Sequence, residues 1–210
     1  FALIFDDKIL ESIVQETNLY ASQTHKKRSS SVAQPIKHWE NITCDELKAW
    51  IGMLILMGIH QLPDLKHYWS TNPLLGIHSI AHIITSKRFK KLVETIHLNN
   101  NETNPPRGQP GHDKLHKVRP LVQTLNKNIS EIYEPSSAVS VDESMIPFKG
   151  RCSFKQYMPL KPIKRGYKVW CLADSATGYI IKFEIYSGKD ESADRPPELT
   201  LGESVVLELT

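Results

Sequence analysis

The chain has 210 residues, 40% hydrophobic and 23% charged, ordinary values for a globular protein with room for one large domain or two small ones. A net charge of +3 and a pI near 8.7 are too mild to imply nucleic acid by themselves. Cys44, Cys152 and Cys171 are too few and too widely spaced for a disulfide scaffold or a cysteine-based metal module, and read as reduced thiols of an intracellular protein.

The chain opens at Phe1 with no basic-then-apolar leader, and its open start and abrupt finish at Thr210 read as the ends of an excised piece. Phe5, Ile9, Ile13 and Val14 lie at helical spacing and predict a first helix, capped by Asp6 or Asp7 and running to about Tyr20. Ser22 to Lys37 is polar and irregular. Its Lys26, Lys27 and Arg28 fit a solvated loop, a phosphate contact or part of a nuclear-import signal. Thr43-Cys-Asp-Glu46 is a capping box. The helix it opens is apolar on every side through Trp50, Leu54, Ile55 and Met57, which predicts burial in a core. The apolar run Ala49 to Ile59 is eleven residues, too short to span a bilayer, so no membrane partner is expected.

Leu62 to Gly76 is a connector in which Tyr68 and Trp69 read as packing aromatics. Thr85 or Ser86 caps the next helix, with Phe89, Leu92, Val93 and Ile96 facing inward. Lys87, Arg88, Lys90 and Lys91 crowd its first turns, where cations oppose the helix dipole; a solvated face or an anionic partner would account for them. Residues 99–112 have loop composition, and His112 with His116 would form a metal pair on a helix but lack a third ligand nearby. Leu115, Val118, Val122, Leu125, Ile129 and Ile132 resume helical spacing, with a kink or restart at Pro120. At Pro135 the period changes from helical to alternating, and a domain boundary is placed there.

Beyond it, Val139, Val141 and Met145 alternate with Ser140, Asp142 and Ser144, the period of a strand. Asp142 therefore stands between two small hydroxyl residues, while Glu143 points to the other face. Spacing alone fits a water-facing edge-strand aspartate as well as a ligand for a divalent cation. Tyr167 to Ala173 is apolar on both faces apart from Lys168, as a central strand should be; Asp174 to Gly178 is a turn and Tyr179 to Tyr186 a third strand. These two form an antiparallel hairpin beside the Asp142 strand, and Gly202 to Thr210 begins a helix. The charge is unevenly placed. Lys149, Arg151, Lys155, Lys161, Lys164, Arg165 and Lys168 face only Asp142 and Glu143 in sequence, whereas acids dominate from Asp190 onward. The basic set reads either as a solvated hairpin or as contacts to DNA phosphates.

Several blocks, in order along nearly the whole chain, resemble the piggyBac transposase family. In the first half they are Thr17-Asn-Leu-Tyr-Ala21, Gly52-Met-Leu-Ile-Leu-Met-Gly58, Tyr68-Trp69, Ser86-Lys-Arg-Phe89 and Asp113-Lys-Leu-His-Lys-Val-Arg-Pro120. In the second half they are Val141-Asp-Glu-Ser-Met-Ile-Pro-Phe-Lys-Gly-Arg151, Gln156-Tyr-Met-Pro-Leu-Lys-Pro162, Gly166-Tyr-Lys168, Asp174-Ser-Ala-Thr-Gly-Tyr179 and Tyr186-Ser-Gly-Lys189.

The resemblance implies a mixed α and β fold: an all-helical dimerisation and DNA-binding region over residues 1–135, then the first three strands of an RNase H-like core over residues 136–210. It implies cut-and-paste DNA transposition by hydrolysis and strand transfer, three catalytic aspartates, Mg²⁺ or Mn²⁺, double-stranded transposon-end DNA and TTAA targets. A homodimer and a nuclear location come with it. Asp142 matches the first catalytic aspartate and becomes the expected metal ligand, consistent with the preference of Mg²⁺ for hard oxygen. The second and third aspartates of the family fall outside residues 1–210, since Asp174 matches a hairpin turn. The chain as given is therefore expected not to cleave DNA. The rival classes are a domesticated DNA- or chromatin-binding protein without catalysis and a dimerising interaction scaffold.

Overall fold

The structure is a computed structural model and describes residues 1–29, 39–74, 76–188 and 200–210. Its packing divides into two units, one of Asp6–His112 and one of Asp113–Thr210 with Phe1–Phe5. The helix after Pro120 thus belongs with the strands. The change of sequence period at Pro135 marks where strand succeeds helix, and the packing divides earlier.

The first unit is helical. Helix α1 (Asp7–Ser29) starts where the Asp6 carboxylate accepts the Ile9 N–H at 2.9 Å. It runs past the expected end at Tyr20, because Ile9, Ile13, Thr17 and Ala21 form one buried stripe and no Gly or Pro breaks the chain between Ala21 and Ser29. Thr17 is fully buried but satisfied, exchanging hydrogen bonds at 3.2 Å with the backbone of His97. The rest of the polar run, 30–38, lies outside the described residues, as do the side chains of Lys26, Lys27 and Arg28. Helix α2 (Cys44–Ile59) has half of its expected capping box. Thr43 accepts the Glu46 N–H at 3.2 Å, while the Glu46 carboxylate forms a bidentate pair with Arg88 at 2.6 and 2.7 Å.

The expectation that α2 is buried all round needs correction. Leu47 and Met53 are sealed, yet Leu54, Ile55 and Leu56 are exposed and Ile59 is 79% exposed. All-round apolarity signals a demand for cover on every side, and within this unit only part of the helix receives it. Tyr68 and Trp69 are packing aromatics as expected: the Tyr68 hydroxyl donates to the His60 carbonyl at 2.7 Å and the Trp69 indole to the Ile84 carbonyl at 2.7 Å. Helix α3 (His78–Ile83) leads to α4 (Ser86–Thr95), which buries Phe89 and Leu92 and leaves Val93 exposed.

In the second unit, α5 (Arg119–Ile132) begins with Pro120 in its first turn, where a missing N–H costs nothing, so Pro120 restarts a helix rather than kinking one. Four antiparallel strands come next, one more than the three expected, because the two-residue β2 is too short to leave an alternation in the sequence: β1 (Val139–Pro147), β2 (Gln156–Tyr157), β3 (Arg165–Asp174) and β4 (Ile180–Ile185). β3 is central, with β1 along one edge and β2 then β4 along the other. Gly166 allows β1 to approach, since a Cβ there would collide with the Ile146 carbonyl oxygen. Asn126 of α5 closes the outer edge of β4, donating to the Phe183 carbonyl at 2.8 Å and accepting its N–H at 2.9 Å. Helix α6 (Leu201–Leu209) opens with a complete capping box, Thr200 and Glu203, and packs Val205 and Leu209 against Leu172 and Ile181.

A carboxylate strand and a basic hairpin as the candidate functional site

Strand alternation separates two acids that are adjacent in sequence. Ser140, Asp142 and Ser144 are exposed, while Val141 and Glu143 are half-buried and Met145 is buried. Asp142 Oδ1 accepts the Glu143 N–H at 2.7 Å, which fixes the carboxylate against its own strand. Across the ladder its partner is Cys171, whose thiol is pushed up by burial and, second, by the Asp142 charge.

Glu143 has the opposite fate. Its Oε1 lies 3.6 Å from Lys161 Nζ and its Oε2 lies 3.4 Å from Lys168 Nζ. Lys161 Nζ also donates to the Glu143 carbonyl at 3.4 Å, and Lys168 Nζ sits 3.8 Å above the Trp170 ring.

The seven basic residues singled out in the sequence therefore divide. Lys161 and Lys168 are turned to Glu143, on the face away from Asp142. Lys149, Arg151, Lys164 and Arg165 are exposed; Lys155 is half-buried and donates to the Gly150 carbonyl at 2.8 Å. Arg165 stacks its guanidinium 5.0 Å over the ring of Tyr157, directly opposite it in the β2–β3 register. The periodicity of β1 already sent Glu143 away from Asp142. Register alone could have supplied the rest, because Met145 opposite Lys168 and Glu143 opposite Trp170 put that lysine on the Glu143 face.

Asp174 is a different kind of carboxylate. Oδ2 accepts the Ser136 N–H at 2.7 Å, and Oδ1 accepts the N–H groups of Ala176 and Thr177 at 2.8 and 2.9 Å. The Ser136 bond first, then those of the turn, hold its carboxyl far below the usual range despite its burial. It is the hub of the β3–β4 turn, with no oxygen left for a cation.

Asp113 is likewise taken, by a bidentate pair with Arg119 at 2.7 Å on both oxygens that closes the approach to α5. His112 and His116 both precede α5 and lie outside any helix, so no helix aligns them. A cavity lined by Asn126, Leu172, Ile181, Lys182 and Leu209 is apolar in character and takes in neither Asp142 nor any of the basic set.

Asp142 fits one ligand position of a divalent cation: an exposed, hard, oriented carboxylate. Among the described residues no group of three His, Cys, Asp or Glu side chains comes together around it or elsewhere. Among them, too, no helix is long and apolar enough to cross a membrane.

A family model described as Transposase IS4 matches residues 1–210. That match over the whole length defines the class, a transposase-type chain. PiggyBac transposable element-derived protein 2 of Homo sapiens is 32% identical over 213 residues, covering 99% of this chain and 32% of that protein. PiggyBac transposable element-derived protein 3 of Homo sapiens is 30% identical over 208 residues, with 99% and 32% covered. The fold is similar to that in the cryo-EM structure of piggyBac transposase synaptic complex with hairpin DNA. There the TM-score is 0.75 at 25% identity, over 99% of this chain and 41% of that one. The chain belongs to the piggyBac transposase family. It spans about a third of the length of these curated relatives.

Proposed function

We propose that this chain is the N-terminal and early catalytic portion of a piggyBac-like DNA transposase, its four strands opening an RNase H-like core. The observation that carries the reading is the exposed Asp142 carboxylate on β1, succeeded by a segment, Ser144 to Ala173, with seven cations and no acid. Its substrate is double-stranded DNA, with TTAA targets, and its location is the nucleus. The helical unit Asp6–His112 serves dimerisation and DNA binding in a homodimer of the longer protein, and the unit from Asp113 onward carries the start of the catalytic core.

A Mg²⁺ or Mn²⁺ ion bound at such a site supplies Lewis-acid stabilisation of a phosphodiester under attack. The chain's own residues have separate tasks. Asp142 offers an oriented oxygen, held by the Glu143 N–H. Lys149, Arg151, Lys155, Lys164 and Arg165 hold backbone phosphates beside it. Lys161 and Lys168 neutralise Glu143, so that only one of the two neighbouring acids repels the polyanion.

A second reading, a domesticated DNA-binding protein without catalysis, draws support from the relatives at 30% and 32% identity, both named as transposable element-derived proteins. Fluorescence anisotropy with labelled duplex DNA tests what the two share. Five phosphate contacts predict a log–log salt slope of about −4.5. A slope of zero between low and moderate salt would rule out phosphate contact by this hairpin. Mg²⁺-dependent nicking by the longer protein, lost in Asp142→Asn, separates the enzyme from the binding protein.

A further inference from the structure

Two tyrosines, Tyr133 and Tyr179, tie the end of α5 to the β3–β4 turn. Their rings stack at 4.3 Å, and the Tyr179 hydroxyl donates to the Ile129 carbonyl at 3.2 Å. The Tyr133 hydroxyl lies 3.1 Å from Thr177 Oγ1, which lies 3.2 Å from Asp174 Oδ1. An ionised carboxylate only accepts, so the one Thr177 hydroxyl proton goes to Asp174 and the Tyr133 O–H donates to Thr177. Tyr133 is thus the first donor of a relay that ends on buried Asp174, and the relay depends on the phenolic proton.

The surroundings of Tyr133 are equally particular. Helix α5 stops at Ile132, Tyr133 is extended at φ −131° and ψ 125°, and residues 133–136 belong to no helix or strand. Glu131, Ile132, Glu134 and Pro135 are all exposed. Lys127 approaches Glu131 only to 3.8 Å, with both side chains largely in water, and leaves its charge unmasked. An exposed, extended stretch with an acid on each side of a tyrosine complements a basic cleft that takes an extended chain. Tyr157 is more open, at 59%, but has Lys155 two residues before it and Arg165 stacked on its ring, the wrong charge for such a cleft.

We propose that Tyr133 is a phosphorylation site for a tyrosine kinase of acidic preference, and that the phosphate unlatches the β3–β4 turn from α5. The γ-phosphoryl group of ATP passes to Tyr133 Oη. An Oη–P bond forms, the β–γ bridging P–O bond breaks with its electron pair leaving on ADP, and the phenolic proton goes to the base of the kinase. The ring must leave Tyr179 to enter the cleft, and the phosphate keeps it from returning. The ester oxygen can no longer donate to Thr177. A charge of about −2 also arrives at the C-terminal end of a helix and two hydrogen bonds from a carboxylate, and both placements are repulsive.

The test incubates the wild-type protein with ATP and the catalytic domain of a tyrosine kinase selected on acidic peptides. The tryptic peptide of residues 128–149 holds one tyrosine, so mass spectrometry reads the site directly. Tyr133 should be labelled about ten-fold faster than Tyr157, and Glu131→Lys with Glu134→Lys should remove that advantage. In the phosphorylated protein the amides of Ala176 and Thr177, which Asp174 holds, should exchange about ten-fold faster than in the unmodified one. Tyr133→Phe keeps the ring stack without the donor and should raise that exchange by less. Label confined to other tyrosines, or no label at all, would overturn the site. Unchanged exchange at Ala176 and Thr177 in protein phosphorylated at Tyr133 would overturn the latch.

Discussion

Asp142 and Asp174 lie on one ladder, Asp142 opposite Cys171 and Asp174 opposite Val139, yet they do different work. Asp174 is buried and takes backbone donors on both oxygens, from Ser136 on one side and the Ala176–Thr177 turn on the other. Asp142 is exposed and takes one backbone donor on Oδ1. Both accept backbone donors, but only Asp142 is exposed to solvent. The lesson is that the number of donors already met, rather than the presence of an acid on a strand, distinguishes a structural carboxylate from one available to a ligand.

The contrast can be broken most severely at the ladder that holds both acids. Gly166→Ala places a methyl group against the Ile146 carbonyl and should cost about 2 kcal/mol or more, read as a lowered urea midpoint. Asp174→Ala comes next. Its carboxyl is held below the unfolded value, so the stability it contributes is present above about pH 4 and is lost as pH falls further. The Tm gap between wild type and Asp174→Ala should therefore be wide near pH 7 and should narrow progressively as pH falls below about 4; a gap independent of pH would contradict the assignment. Lys168→Met should cost about 1 kcal/mol, because it leaves half-buried Glu143 with Lys161 alone. Asp142→Asn, by contrast, should change stability by no more than about 0.5 kcal/mol, as an exposed substitution.

Much of this arrangement can be read from the sequence, and the parts that cannot share a cause. The alternation from Val139 to Met145 placed Asp142 and Glu143 on opposite faces, and the Asp174–Gly178 turn was legible in composition, because strand period and turn chemistry are local. Pro120 announced a kink or a restart for the same reason, and it proves to be a restart. What escaped were partners far apart in the chain. Arg88, read as a cation opposing its helix dipole, is paired with Glu46, forty-two positions earlier. The exposed half of α2 escaped because all-round apolarity does not reveal which sides find cover. α1 continues beyond Tyr20 because the stripe through Thr17 and Ala21 outweighs the polar composition of its last two turns. In the candidate site, the sequence gathered seven cations near Asp142, but only the register shows that Lys161 and Lys168 serve Glu143 instead.

The most direct test of the central claim, that Asp142 and not Asp174 is the carboxylate open to a divalent cation, is Mn²⁺ titration followed by amide relaxation in the ¹⁵N-labelled chain. Paramagnetic broadening should centre on residues 141–143 and on Cys171 across the ladder, spare the 174–178 turn, and vanish in Asp142→Asn. Broadening centred on the turn, or unchanged by Asp142→Asn, would contradict it.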